Sequence, residues 1–198
     1  MEIASYCSHH IDAIVRGVDG KQWRCTGIYG HLEVGQNRHT QTLFKRLAGL
    51  FTYPWICFGD FNEILNPNEK MGGNDKNLSM VAEFRDAVRE CKLVNIECRG
   101  YPFTWSNRRF GLHFVEEKLD RFFGSKEWEA GLTELVAYNL DTWCSDHTPI
   151  MLKVQTRIRG VKFHRRRRCR LHYEYMWSPY DDCKRIVKKE WETKVCWD

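Results

Sequence analysis

Hydrophobic and polar positions alternate over residues 10–16 and again over 22–30. This predicts paired strands joined through Val18-Asp19-Gly20, whose Asp-Gly step favours a tight hairpin. The spacing then changes to a helical period. Leu43, Phe44, Leu47, Leu50 and Phe51 recur within 39–51. Met80, Val81, Phe84, Ala87, Val88 and Cys91 do so within 78–91, behind a capping Asn77 or Ser79. Between them, Trp55-Ile56-Cys57-Phe58 reads as a short buried strand, followed by a turn-rich loop over 66–75. Further strands are predicted at 102–106, 115–123, 134–140 and 148–154, with a short helix at 126–131. Several strands with two intervening helices point to an α/β sandwich rather than an all-β barrel.

Composition narrows the class without naming a function. A chain of 198 residues holds one domain with a real core and a small appendage. No apolar run approaches the ~18 residues of a membrane helix, and the N-terminus shows no signal peptide. The expectation is therefore no membrane partner and no secretion. Nine cysteines, an odd number without Cys-x-x-Cys spacing, argue for reduced thiols in cytosol or nucleus.

Charge divides the chain unevenly. Residues 155–198 carry 13 Lys and Arg against 6 Asp and Glu, whereas residues 1–154 carry 18 against 20. The expected organisation is a catalytic-type domain over 1–155 and a basic linker with an amphipathic helix over 156–198. In the latter, Arg165, Arg166, Arg167 and Arg168 form a run suited to a DNA or RNA backbone or to nuclear import; a solvated linker is the plain alternative. Tyr173, Tyr175, Trp177 and Tyr180 follow. A helix over 181–196 opens with Asp181 and Asp182 at its positive end.

Two strand ends carry the candidate chemistry. Asp60 and Asn62 follow the 55–58 run, and pleat alternation points both to one side. Asp146 and His147 precede Pro149-Ile150-Met151-Leu152, another strand. Two carboxylates, an amide and an imidazole suit metal-assisted phosphodiester hydrolysis: one group activates water and the others hold phosphoryl oxygens.

These residues sit in blocks that resemble the endonuclease/exonuclease/phosphatase superfamily, and more narrowly the endonuclease of plant non-LTR (LINE-type) retrotransposon polyproteins. The blocks are His10-Ile11-Asp12, Thr26-Gly27-Ile28-Tyr29-Gly30, Gly59-Asp60-Phe61-Asn62-Glu63-Ile64-Leu65 and Glu69-Lys70 before Gly72-Gly73. Phe103-Thr104-Trp105-Ser106-Asn107, Glu117-Lys118-Leu119-Asp120-Arg121 and Ser145-Asp146-His147 follow in the family's order. The resemblance covers roughly residues 10–155. It implies two stacked β-sheets flanked by helices, with the active site at one end of the sandwich.

The resemblance also implies roles. Asp146 would be a hydrogen-bonding or metal-associated group, with Mg²⁺ the expected cofactor. His147 would be a donor to the scissile phosphate and Asp120 the carboxylate that orients it. Asp60 would position or activate water, Asn62 would bind phosphate, and Tyr29 would contact phosphate or the leaving oxygen. Trp105 and Asn107 would lie near a nucleic-acid substrate. Taken singly, each residue also fits a surface carboxylate, a turn Asn, a core Tyr or a core strand. Glu63 fits a solvated turn, Arg121 a structural role, and His9, His10, His31 and His39 show no metal-ligand spacing.

Two family features are missing from the sequence, an Asn near the first strand and a Glu that is the main magnesium ligand. The resemblance thus implies a truncated domain that lacks its opening strands, with weak or no activity. The leading expectation is an endonuclease descended from a target-site-nicking enzyme acting on nuclear DNA. A non-catalytic nucleic-acid-binding protein and a phosphatase of small phosphoesters remain as alternatives, as does a gene-fragment product with no function.

Overall fold

The computed structural model describes residues 1–17, 20–32, 37–141, 145–156 and 180–192. The chain divides into two units, Met1–Arg157 and Ile158–Asp198. The strands of the first unit are β1 (Glu2–Cys7), β2 (His10–Arg16), β3 (Gln22–Tyr29), β4 (Trp55–Asp60), β5 (Lys70–Met71), β6 (Leu93–Ile96), β7 (Cys98–Arg99), β8 (Trp105–Ser106), β9 (Glu116–Glu117), β10 (Asp120–Ser125), β11 (Leu132–Asn139) and β12 (Ile150–Thr156). Its helices are α1 (Asn37–Leu50), α2 (Leu78–Glu90) and α3 (Lys126–Ala130). In the second unit the described element is α4 (Asp181–Glu192), with Asp181 and Asp182 in its first turn. The arginine run 165–168 and the 173–179 aromatic segment lie outside the described residues, as does Asp19 of the expected hairpin turn.

Six strands form the main sheet in the order β1-β2-β3-β4-β10-β6, antiparallel except for the parallel pair β3 and β4. Each face has its own core, as strand alternation demands. On one face Cys57, Phe123, Ile28 and Trp55 meet Phe44 and Leu47 of α1 and Phe84 and Val88 of α2. Phe61 and Phe123 pack edge to face at 5.0 Å. On the other, Ile56, Ile96 and Phe122 meet Ala137, Leu135, Ile150 and Leu152 of a second sheet, β12-β11-β7, and Trp128 of α3. A third sheet, β5-β9-β8, packs Trp105 against Ile64, Val81 and Leu119. The result is a mixed α/β sandwich with no closed barrel, as the sequence predicts.

A buried ion pair fixes α1 to the sheet. Asp12 and Arg24 are both fully buried, and Arg24 Nε donates to both Asp12 carboxylate oxygens at 2.8 and 2.9 Å. Thr26 Oγ1 donates to Asp12 at 2.6 Å, and Arg24 Nη1 donates to the Leu47 carbonyl of α1. The guanidinium stacks over Trp55 at 4.6 Å.

Some elements differ from the sequence expectation. The strand expected over 115–123 is two strands, β9 in the small sheet and β10 in the main one. The chain changes sheets at Lys118-Leu119, where Leu119 turns into the core beside Ile64 and Val81. The strand expected over 102–106 reduces to Trp105–Ser106, and β1 and β6 have no counterpart in the predicted set.

Candidate active site

Three adjacent strands end at one level. Tyr29 of β3 pairs with Asp60 of β4, and Asp60 pairs with Asp120 of β10. This register aligns the three side chains at one edge of the main sheet. The chain leaves β4 immediately after Asp60: Phe61 is buried, and Asn62 takes a left-handed conformation at φ 54°. Asp60 Oδ1 accepts the Asn62 backbone N–H at 2.9 Å, and Asn62 Nδ2 donates to the Gly30 carbonyl at 2.9 Å. Asp60 and Asn62 therefore share the site through an Asx turn rather than through strand pleating. Gly30 permits that turn, since a Cβ there would lie 2.1 Å from the Phe61 carbonyl oxygen.

The loop before β12 supplies the remaining groups. His147 forms a bridge with Trp105, and Thr148 N donates to the Thr104 carbonyl at 2.7 Å. Thr104 Oγ1 accepts the backbone N–H groups of Leu119 and Asp120 at 2.9 and 2.8 Å, which fixes the start of β10. So held, His147 Nδ1 lies 2.9 Å from Asp120 Oδ2, and His147 Nε2 lies 3.8 Å from Asp60 Oδ2. The Asp120 hydrogen bond raises the His147 pKa above its ordinary 6.5, against burial and with help from Asp60 and Asp146. Burial raises the Asp60 pKa, and the neighbouring Asp120 adds to this. Asp146 lies at the exposed rim, and the Trp105 indole N–H, 3.1 Å away, holds its carboxyl below the usual range.

These groups open onto a cleft of about 740 Å³, lined by Tyr29, Asp60, Asn62, Trp105, Asp120, Asp146 and His147. All six expected catalytic residues and Trp105 therefore share one cleft wall. Asn107 is engaged elsewhere: its side chain donates to the His113 carbonyl and accepts from Arg109 and Val115 N–H groups, bracing the 107–114 loop. Arg121 is fully buried on Glu69 and on the Glu63 and Lys118 carbonyls, so its role is structural. Asp60, Asp120 and His147 bring ligand atoms within 4.8 Å of one another; Asp146 is outside this compact set. Carboxylate oxygens on neighbouring strands, facing an open cleft with room for water, fit magnesium, which takes oxygen ligands and keeps several waters. Lys76 and Glu117 also line the cleft. Lys76 stands outside every motif block, and Glu117, though inside one, has no role assigned there.

Neither a family model nor a curated protein matches the sequence itself. The likeness is one of structure. The chain superposes on the endonuclease domain of TRAS1, a telomere-specific non-LTR retrotransposon, with a TM-score of 0.55 at 14% identity, over 77% of this chain and 65% of that one. The fold is that of the endonuclease/exonuclease/phosphatase superfamily. The AP endonuclease LMAP from Leishmania major shares it with a TM-score of 0.53 at 14% identity, over 73% and 54%. The 3′ phosphatase NExo from Neisseria, bound to a product DNA hairpin, does so with 0.51 at 16% identity, over 74% and 65%. The chain thus spans between 54% and 65% of the length of these structures.

Proposed function

We propose that this chain is a metal-assisted phosphodiester hydrolase of nucleic acid, of the DNA-nicking kind expected of a retrotransposon endonuclease. The observation that carries the reading is the Asp120–His147–Asp60 constellation at the strand ends of a nuclease-type fold. In this reading Asp60 accepts a proton from the attacking water as the water oxygen bonds to phosphorus. His147, protonated and held through Nδ1 by Asp120, directs Nε2–H at the phosphoryl oxygen where charge accumulates. The bond from phosphorus to the 3′ oxygen breaks in the same displacement, and that oxygen, faced by the Tyr29 hydroxyl, takes up a proton and leaves as the 3′-hydroxyl. Magnesium, when bound, would be held by Asp60 and Asp120, with Asp146 nearby, and would supply Lewis-acid stabilisation of the phosphate.

Turnover should be slow, because Asp120 is already bonded to His147 and Asp146 lies outside the compact Asp60–Asp120–His147 set, which weakens the hold on a metal. The surroundings favour nucleic acid over a small phosphoester. The cleft is open, and beside it the 107–114 loop raises Phe110 and Leu112, 94% and 98% exposed, among Arg108, Arg109 and His113. Exposed apolar side chains among cations are suited to base stacks flanked by phosphates.

The deciding experiment is nicking of supercoiled plasmid with Mg²⁺, run beside His147→Ala and an EDTA control. Slow nicking that needs both His147 and metal is expected. A plasmid left supercoiled, or nicked equally by His147→Ala, would reject the hydrolase in favour of a binding protein.

A further inference from the structure

Asp60, Glu117, Asp120 and Asp146 all line the cleft, so a phosphodiester arriving there meets their combined negative charge. Among the described residues, Lys76 is the one Lys or Arg in that lining. Its Nζ lies 2.9 Å from one Glu117 oxygen, and Lys70 Nζ lies 2.5 Å from the other. Lys70 and Glu117 face each other across the β5–β9 ladder, with side chains 11% and 9% exposed, so they neutralise each other inside the small sheet. Lys76, 29% exposed, is the surplus cation, reachable from the cleft. Its backbone is fixed by the next residue, since Asn77 caps α2 by accepting the Ser79 N–H at 2.9 Å. Its field also lowers the pKa of Asp60, offsetting part of the effect of burial.

We propose that Lys76 binds the substrate phosphate: its ammonium contacts a non-bridging oxygen of the phosphodiester, and Glu117 is the positioning residue that holds it in the cleft. This rests on the nucleic-acid hydrolase reading above. Glu117, engaged by two lysines, serves as their anchor rather than as a metal ligand.

The salt dependence of binding tests the assignment. Anisotropy of a short labelled DNA duplex is followed on the full chain in EDTA, between about 50 and 200 mM salt. Losing one phosphate contact lowers the slope of log K against log salt by about 0.9. Lys76→Met should show that loss, with weaker binding at the low-salt end, and Lys76→Arg should keep the wild-type slope. Lys76→Gln is a second neutral form should the methionine variant unfold. A wild-type slope in both neutral variants, or an equal loss in Lys76→Arg, overturns the proposal. His147→Ala, followed by plasmid nicking alone, should fail to nick. Nicking that ignores His147 would reject the hydrolase mechanism and leave the slope to decide on Lys76. A wild-type chain that binds no duplex at any salt overturns both.

Discussion

At the scale of single residues, His147 is the group whose environment makes the clearest demand. Its raised pKa comes first from the Asp120 hydrogen bond. Asp120→Asn should therefore lower the His147 pKa, read directly from an NMR titration of its ring; an unchanged midpoint would dismiss the pair as incidental. The linkage has a definite sign. A folded-state pKa above the unfolded value stabilises the protein fully below about 6.5, and the contribution fades as pH rises through the raised folded value. The stability gap between wild type and Asp120→Asn should accordingly be wider on the acid side of that window than on the alkaline side. Asn62 makes a conformational demand. At φ 54° with its amide on Gly30, Asn62→Ala should lose about 2 kcal/mol, adding backbone strain to a lost hydrogen bond, and Asn62→Gly about 1. Urea unfolding separates the two; equal losses would mean that the backbone conformation contributes nothing. Asp60, Asn62, Asp146 and His147 were legible because each stands in a short block at a strand end. Lys76 and Glu117 were not, because Lys76 reaches the cleft from the loop before α2 and Glu117 from the small sheet, and no local spacing connects either to Asp60.

At the scale of elements, legibility followed the strength of the local period. Helices α1 and α2 were readable from five or six apolar positions each, and β4 from an unbroken apolar run. The break between β9 and β10 was not readable, because no Gly or Pro marks Lys118-Leu119, where the chain changes sheets. Strand β1 was missed for a related reason: its exposed edge carries no continuous apolar face. The Asp12–Arg24 pair shows how an apolar pattern can hide a buried charge. Removing one partner leaves the other charged and dry, so Asp12→Ala should destabilise by about 3–5 kcal/mol. Adding Arg24→Met should recover much of that loss, since the shorter apolar chain needs no counter-charge below Leu47 and Trp55. If the double variant is no more stable than Asp12→Ala in urea, the loss arises from packing and not from an unpaired charge.

At the scale of the whole molecule, a strand pattern tells which face of a sheet is apolar but not how many strands lie opposite it. The main sheet has six strands and the sheet facing its inner side has three. Ile11, Gly27, Phe58, Phe122 and Ile96 form one inner-face row across β2, β3, β4, β10 and β6. Burial is complete only at its β10–β6 end: Phe122 and Ile96 are buried, whereas Phe58 is 37% and Ile11 50% exposed. Ile3, paired with Ala13 in the adjacent row, is 54% exposed. Each of these side chains gains roughly 25 cal/mol for every Å² removed from water, so the face favours any apolar contact that covers it. Dye binding by the isolated chain, and reversible association that grows with concentration and with sulfate, are the expected results. The double substitution Ile3→Thr and Ile11→Thr should reduce both, as read by ANS fluorescence and sedimentation velocity. Because the two side chains are half exposed, it should change folding stability by much less than a buried substitution would. A double variant that unfolds as readily as a core variant would show that these isoleucines are already covered, and the inner face complete.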